Sequence, residues 1–282
     1  EINDLESLNS LVKKIFLSGE QPSPQLILCL ASYRSLMEYT WCEDLIISSS
    51  IEEVFTRQVV EPRQEFSLKS GISILRSITD KVSIKVKAQY EKNPYPRWVS
   101  LGLSLRPLLI SEITKQLDLV FFDNYINEVK CPDILIAGCG TGRHAIETAA
   151  KFKNANVLAI DICLSSLAYA KRKTEELGYS NVTYMQADIL DVKELKRKFD
   201  VIESVGVLHH MENPIVGWKA LVDCLNKGGL MKIGLYSDLA RKHIVDLRKE
   251  TFRLGIGSSN DEIKKFREQL IASSNTVTKR LL

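Results

Sequence analysis

The stretch Asp133-Ile134-Leu135-Ile136-Ala137-Gly138-Cys139-Gly140-Thr141-Gly142 decides the fold class of this chain of 282 residues. It begins as a short apolar run typical of a buried β-strand and ends in a turn with glycine at every second position. The residues that follow, from His144 to Phe152, have the pattern of a helix. Glycines in such a turn let the backbone approach a ligand, and the start of the helix supplies free N–H groups. The stretch therefore predicts a ligand-binding βα unit.

Further strand-length apolar runs alternate with helical patterns after this unit. The runs are Val157–Ile160, Val182–Met185, Asp200–Val205 and Leu230–Tyr236, and helical stretches at 165–177 and 214–225 lie between them. Strands that alternate with helices of this length form βαβ units, in which a parallel sheet is covered on both faces. We therefore expect a Rossmann-like, mostly parallel α/β domain over residues 131–282.

The chain ahead of this domain has a different pattern. Apolar residues recur at three- and four-residue steps, which predicts a helical N-terminal region over residues 1–92, with its last helix at 72–91. Pro94 and Pro96 then interrupt the helical pattern and hold the backbone extended. We expect residues 93–130 to form either a stiff linker or a lid segment.

Composition and charge narrow the class of protein. Hydrophobic residues make up 45% and charged residues 26%, as in globular proteins, and no apolar run has the roughly 18–20 residues of a membrane helix. The 38 basic and 35 acidic residues nearly balance, so nucleic acid is not indicated as a partner. The cysteines and histidines show no metal-ligand spacing, so we predict no metal site. We expect a reduced, cytoplasmic protein without a membrane segment.

Two carboxylates follow strands of the predicted sheet. Asp161 ends the second strand and Asp188 follows the third. A carboxylate at the first position can accept hydrogen bonds from the ribose hydroxyls of a nucleotide, and one at the second can accept from an adenine amino group. A dinucleotide and S-adenosylmethionine both fit this pattern. Arg143 stands where the dinucleotide fingerprint needs a small residue for close packing of helix and strand, which favours S-adenosylmethionine.

Residues 133–236 resemble the class I S-adenosylmethionine-dependent methyltransferases. The motifs that carry the resemblance are Asp133–Gly142, Ile160–Asp161, Ala187–Ile189, Phe199–Ile202, Val207–His210 and Lys227–Leu230. More narrowly, Gln89–Trp98, which contains Asn-Pro-Tyr-Pro-Arg-Trp, looks like bacterial proteins that join tetratricopeptide repeats to a methyltransferase domain. The sheet of the family adds two more strands after the fifth, and this chain has no clear candidates for them.

The resemblance implies that S-adenosylmethionine is the cofactor and that a methyl acceptor is the substrate. It implies that Asp161 binds the ribose, that Asp188 lies beside the adenine, and that the glycine turn lies against the methionine part. We add Tyr95 and Arg97, because the segment before the first strand of the domain can fold back over the strand ends. The expected cofactor-binding residues are Gly138, Cys139, Gly140, Asp161, Ile162, Asp188, Ile189, Val205, Tyr95 and Arg97.

The sequence does not single out a catalytic base, which is required only where the acceptor loses a proton. His209, His210 and Tyr236 are the candidates, since they follow the fourth and fifth strands of the domain. Glu203 is expected either to bind substrate or to pair with a neighbour. The acceptor stays open between a small molecule, a protein and RNA, and the helical N-terminal region is a candidate surface for a protein partner. The alternative function is a nucleotide-binding interaction module with a non-catalytic Rossmann-like domain.

Overall fold

A computed structural model describes residues 2–92, 94–104, 106–237, 239–257 and 259–272. Its helices are α1 (Ile2–Leu17), α2 (Pro24–Ala31), α3 (Glu52–Phe55), α4 (Glu61–Leu68), α5 (Lys81–Lys92), α6 (Ile110–Gln116), α7 (Tyr125–Glu128), α8 (Arg143–Lys151), α9 (Leu164–Glu176), α10 (Pro214–Val222), α11 (Lys242–Arg253) and α12 (Asn260–Ala272). Its strands are β1 (Ser73–Ile74), β2 (Asp133–Ala137), β3 (Asn156–Asp161), β4 (Val182–Gln186), β5 (Phe199–Val205) and β6 (Leu225–Gly234). Asn93 of the predicted lid segment and residues 273–282 of the predicted α/β domain lie outside the described residues.

The strands form a single sheet in the order β1-β4-β3-β2-β5-β6, and every pairing in it is parallel. The chain moves outward from β2 through β3 to β4, and it returns to the other side of β2 for β5 and β6. The predicted Rossmann-like, mostly parallel fold with a helical N-terminal region is thus confirmed. The reversal of strand order beside β2 creates a crevice at the carboxyl ends of the strands, which is where open α/β sheets bind ligands.

Strand β2 shows why its sequence is apolar without interruption. Ile134 and Ile136 pack into one apolar cluster with residues of α8 and α9, whereas Leu135 and Ala137 pack into a second cluster. All four side chains are no more than 1% exposed. Successive residues of a strand face opposite sides of the sheet, so a central parallel strand needs apolar side chains at every position.

Strand β1 is an element that the sequence analysis did not find. It comes from the N-terminal region and pairs with β4, with Ile74 opposite Gln186. The predicted helix over 72–91 is therefore wrong in its first part, because α5 begins only after Asp80. The Asp80 carboxylate determines this start, since its Oδ2 accepts a hydrogen bond from the backbone N–H of Ser83 at 2.8 Å in an N-cap arrangement.

Polar contacts join the N-terminal region to α9. The buried guanidinium of Arg172 forms ion pairs with Glu61 at 3.1 Å and with Glu65 at 3.2 Å, and both acids belong to α4. At the other end of α9, the carboxylate of Glu91 from α5 accepts a hydrogen bond from the backbone N–H of Leu164 at 2.6 Å. The position of α4 and α5 is therefore fixed relative to the sheet that α9 covers.

The chain continues after β6 as α11 and α12, and the residues described there include no further strand. The two additional strands of the family sheet are thus not found in the described part of the chain. No helix within the described ranges combines the length and the apolar character that a membrane crossing requires.

Candidate functional site

A cavity of about 360 Å³ lies at the carboxyl ends of the strands, in the crevice created by the reversal of strand order. Its size falls within the range of roughly 300–1,000 Å³ that is usual for small-molecule sites. The predicted cofactor-binding residues that line it are Tyr95, Gly138, Cys139, Gly140, Asp161, Ile162, Asp188, Ile189 and Val205, and the catalytic candidates that line it are His210 and Tyr236. The fold thus brings residues from both halves of the sheet to one cavity.

The glycine turn between β2 and α8 needs its glycines for different reasons. Gly138, Gly140 and Gly142 all have positive φ angles, of 79°, 52° and 81°. A Cβ atom on Gly138 would lie 2.4 Å from a methyl group of Val207, and one on Gly142 would lie 2.5 Å from Cβ of Ala170. A Cβ on Gly140 would meet only the Tyr95 carbonyl oxygen at 3.7 Å. Packing therefore requires the outer two glycines, whereas Gly140 leaves open the space beside the cavity.

The carboxylate of Asp161 is tied to the glycine turn. Its Oδ2 accepts a hydrogen bond from the backbone N–H of Gly140 at 2.8 Å, and its Oδ1 accepts one from that of Cys163 at 2.9 Å. Burial raises the pKa of this carboxyl, and these backbone hydrogen bonds oppose the rise. Each carboxylate oxygen can accept a second hydrogen bond, so Asp161 can still receive two hydroxyl donors from the cavity.

The second strand-end carboxylate, Asp188, is fixed in a comparable way. It is buried, and its Oδ1 accepts a hydrogen bond from the backbone N–H of Leu190 at 3.0 Å. Nearby, the Gln186 side chain donates to the Ile162 carbonyl oxygen at 2.8 Å, which joins the ends of β3 and β4. Asp188 and Ile162 both line the cavity, so a carboxylate acceptor and an apolar wall are held together there.

The opposite wall of the cavity comes from the N-terminal region. Val82, Val86 and Tyr90 of α5 line it, and they are joined by Tyr95 and Pro96 of the predicted lid segment. A role of this segment as cover was one of the two expectations from the sequence. The contribution of Val82 and Val86 was not expected, because helical spacing does not tell which surface of the sheet domain a preceding helix covers.

Arg97 does not line the cavity, which speaks against its predicted contact with the cofactor. Its guanidinium forms an ion pair with Glu65 at 3.2 Å and lies 5.4 Å from the ring centre of Tyr169. The next residue, Trp98, is buried and donates from Nε1 to the Thr141 carbonyl oxygen at 3.0 Å. Arg97 and Trp98 thus attach the segment to α4, α9 and the glycine turn, and they leave Tyr95 and Pro96 at the cavity.

The three catalytic candidates form an aromatic cluster. The ring of His209 lies between His210 and Tyr236, at centroid distances of 4.2 and 3.9 Å. Of the three, His209 is the one outside the cavity lining, and its two ring nitrogens are buried without a hydrogen-bond partner among the described residues. Burial lowers the pKa of both histidines, and nearby positive groups, including Arg248, lower it further. Neutral imidazoles are therefore favoured at pH 7.

Residues that the sequence analysis did not select also line the cavity, and His144 on the first turn of α8 is among them. Its Nε2 lies 2.5 Å from Oε2 of Glu203, a carboxylate buried within β5. Thr148 donates a hydrogen bond to the same oxygen at 3.0 Å, and Nζ of Lys232 lies 3.9 Å from Oε1. An acidic residue in the middle of a predicted strand was the signal in the sequence, and it pointed to Glu203 without its partner.

Comparisons with known proteins agree with this geometry. Residues 134–229 match the family model described as "Methyltransferase domain". An uncharacterized protein of Synechococcus sp. is 37% identical over 119 residues, which cover 42% of this chain and 28% of that protein. The release factor glutamine methyltransferase of Lactococcus lactis is 25% identical over 259 residues, or 82% of this chain and 94% of that protein. The solved structure of PKMT2 from Rickettsia typhi in complex with AdoHcy is 19% identical, has a TM-score of 0.43, and covers 61% of this chain and 34% of that one.

The family match supports the predicted class I methyltransferase fold and, with it, S-adenosylmethionine as the cofactor. The matched residues include β2 apart from its first residue, β3 to β5 and the whole glycine turn. The chain spans only 28% and 33% of the length of the first two curated relatives, the second being (S)-coclaurine N-methyltransferase of Papaver somniferum. The likeness to proteins that carry tetratricopeptide repeats finds no support in these comparisons and stays a prediction.

Proposed function

We propose that this protein is an S-adenosylmethionine-dependent methyltransferase. The observation that carries the proposal is the meeting of the glycine turn, Asp161 and Asp188 in one cavity, within a segment that matches a methyltransferase domain. A glycine turn alone is a weak indication of function. Two carboxylates at the ends of neighbouring strands make it specific, because they supply acceptors for the ribose hydroxyls and for the adenine amino group of one nucleoside.

In this proposal, each part of the cavity holds a different part of the cofactor. Gly138 to Gly140 contact the methionine part, the carboxylate of Asp161 accepts from the ribose hydroxyls, and that of Asp188 accepts from the adenine. Ile162, Ile189 and Val205 add apolar surface, and Tyr95 covers the opening. When bound, S-adenosylmethionine supplies a methyl group on a positively charged sulfur, which is already a strong donor. The chain's own task is then to align an acceptor and to exclude water.

Two other functions fit this cavity less well. A non-catalytic interaction module has no need of a glycine turn beside two strand-end carboxylates, and all of these are present. An NAD-dependent oxidoreductase needs a small residue where Arg143 stands.

We further propose the domain organisation that the sequence predicts, with a helical region at 1–92, a cover at 93–130 and the cofactor domain at 131–282. A cytoplasmic location and a protein partner for the helical region stay predictions.

Calorimetry with S-adenosylhomocysteine and with NADH tests the proposal on the intact chain. We expect S-adenosylhomocysteine to bind and NADH not to bind. Asp161→Ala should weaken the first interaction by more than ~1.5 kcal/mol, since charge-assisted hydrogen bonds to the ligand are lost. Asp133→Ala is the matched control, because that carboxylate begins β2 at the amino end of the sheet and pairs with Arg197 at 2.6 Å. Binding of NADH alone, or of neither ligand, would contradict the proposed function.

A second variant tests whether Gly140 lies against the ligand. Gly140→Val should abolish binding of S-adenosylhomocysteine while the fold survives, because the new side chain occupies ligand space. Gly178→Val is the control, since Gly178 also has a positive φ angle, of 75°, and no atom within 4 Å of an added Cβ. Both variants carry a left-handed strain of roughly 1–2 kcal/mol. Equal affinity in the two variants would show that Gly140 does not lie against the ligand, and loss of the folded circular dichroism spectrum in Gly140→Val alone would show that Gly140 is a structural residue.

A further inference from the structure

The contact between His144 and Glu203 brings a titratable pair to the wall of the cavity. His144 lies on the first turn of α8, directly after the glycine turn, and Glu203 lies near the carboxyl end of β5. The two atoms Nε2 and Oε2 are 2.5 Å apart, and Nε2 is buried. This contact lies within ion-pair distance but does not meet hydrogen-bond criteria, so the attraction between the two groups is electrostatic.

The surroundings of Glu203 indicate that its carboxylate is held in the charged form. A carboxylate inside a strand is expensive to bury unless it is paired. Burial by itself would raise the pKa of Glu203, but the His144 contact, Lys232 and the Thr148 hydroxyl lower it below its ordinary value. A negative charge beside Nε2 favours the imidazole tautomer that carries its proton on this nitrogen. The other ring nitrogen, Nδ1, is then unprotonated, and it makes no hydrogen bond to any residue that the structure describes.

We propose that His144 is the catalytic base of the transfer and that Glu203 is the residue that positions it. The proposal rests on the proposed function and deepens it. It implies a class of acceptor: a nucleophile that reaches the cavity with a proton on the attacking atom, such as an alcohol, a phenol or an ammonium group. A nucleophile that is already a free anion would need no such base.

The proton step involves only the acceptor and His144. The lone pair of Nδ1 forms a bond to the proton of the acceptor, and the electron pair of the broken bond stays on the acceptor atom. This pair forms the new bond to the methyl carbon, and the electrons of the carbon–sulfur bond stay on sulfur. The imidazolium of His144 carries one positive charge beside the carboxylate of Glu203, which stabilises it until the proton is released to solvent.

The other histidines at the site lack this arrangement. His209 does not line the cavity, and His210 lines it but forms no ion pair with a carboxylate in the described part of the chain. Other titratable or charged groups surround this pair. Lys232 contacts Glu203. The groups that share the cavity with His144 are Tyr90, Tyr95, Cys139, Arg143, Glu147, Asp161, Asp188, His210 and Tyr236. Within the described residues, Glu203 is the group that lies within ion-pair distance of the His144 imidazole.

Nitrogen NMR of the four histidines in the intact chain gives a readout that needs no acceptor. We expect neutral His144 to hold its proton on Nε2. Glu203→Gln should remove this tautomer preference, whereas Lys232→Gln, which keeps the carboxylate, should preserve it. A proton on Nδ1 of neutral His144 in the parent, or an unchanged tautomer in Glu203→Gln, would overturn the proposal.

Methyl transfer supplies the second readout, with methyl-tritiated S-adenosylmethionine as donor and a bacterial cell extract as the acceptor pool. General base catalysis contributes about 10²–10⁴-fold, so His144→Gln should lower incorporation at least about 100-fold at pH 7. Its affinity for S-adenosylhomocysteine should change by less than about threefold. His243→Gln, on α11 and outside the cavity lining, is the matched control. Parental incorporation by His144→Gln would overturn this inference alone, whereas absence of S-adenosylhomocysteine binding in the parent would overturn the proposed function.

Discussion

The two walls of the cavity differ in how the sequence encodes them. On the sheet wall, the cavity-lining residues lie within strands or within two residues of a strand end, as Gly138, Asp161 and Asp188 do. On the helical wall, Val86 and Tyr90 come from α5, which precedes β2 by about forty residues and shows no motif. A local pattern is therefore enough to locate the first wall, whereas the second depends on how α4 and α5 pack against α9.

This difference makes the helical wall the part that mutation can detach. The sheet wall belongs to the central strands, whose side chains are buried on both faces. The helical wall depends on a few polar contacts to α9, chiefly those of Arg172 and Glu91. Loss of these contacts should release α5 and leave the glycine turn and the strand-end carboxylates in place. Mutations can therefore affect the two walls separately.

The largest effect is expected for Arg172→Ala. The guanidinium is 7% exposed and bonded to Glu61, Glu65 and Glu176, so its removal leaves buried carboxylate without its main partner. Breaking a buried ion pair from one side typically destabilises a protein by about 3–5 kcal/mol. We expect the free energy of unfolding, measured with urea, to fall by about 3 kcal/mol, near the lower end of this range. The reason is that Arg97 still neutralises part of the Glu65 charge.

The matched control for this variant is Arg57→Ala. Arg57 pairs with Glu53 four residues away at 2.5 Å, but on an exposed helix surface. Such pairs contribute less than about 0.5 kcal/mol to stability, so this variant should have nearly the same free energy of unfolding as the parent. A loss in Arg172→Ala no larger than that of the control would mean that apolar packing, and not the ion pairs, holds the helical wall.

The same distinction explains which features could be predicted from sequence. The parallel sheet and the turn at Gly138–Gly142 follow from the alternation of apolar runs and from local chemistry. The role of Arg97 could not be predicted, since its choice between ligand and Glu65 is a matter of side-chain direction in the folded chain. His144 was missed for a related reason. Its partner Glu203 lies 59 positions further along the chain, and the two residues come into contact only in the folded chain, where α8 lies beside β5. Strand β1 was hidden because it is two residues long and gains its stability from β4.

Acid should weaken the attachment of the helical wall through Glu91. Burial raises the pKa of this carboxyl, but hydrogen bonds from Ser165 and from the backbone of Leu164 outweigh it, and the folded-state pKa lies below the ordinary value. The carboxylate therefore stabilises the fold at a pH above about 4.3, the unfolded-state value, and this contribution disappears as the pH falls through the folded-state pKa. Glu91→Gln should be less stable than the parent by about 1 kcal/mol at pH 7, as for a lost helix cap.

Urea unfolding at pH 7 and at pH 3 measures this effect. The difference between Glu91→Gln and the parent should be smaller at the lower pH, because the contribution of the Glu91 charge decreases as the pH falls toward the folded-state pKa. Glu20→Gln is the control, since Glu20 is exposed and its side chain has no hydrogen bond within the described ranges. A difference that stays constant between the two pH values would show that the Glu91 hydrogen bonds, and not its charge, stabilise α9.

The smallest effect concerns Tyr95 and Arg97, two residues of one segment that were both predicted to bind the cofactor. Tyr95 is 73% exposed and lines the cavity, whereas Arg97 points to Glu65. Tyr95→Ala should therefore weaken S-adenosylhomocysteine binding in calorimetry by about three- to tenfold, which corresponds to roughly 0.7–1.4 kcal/mol. Arg97→Ala should leave the affinity within about twofold and should increase proteolytic cleavage at 94–104 in the absence of ligand, because it removes one attachment of the segment to α4. If both variants bind as the parent does, and ligand does not protect the segment from cleavage, residues 93–130 are a linker and α5 alone forms the helical wall.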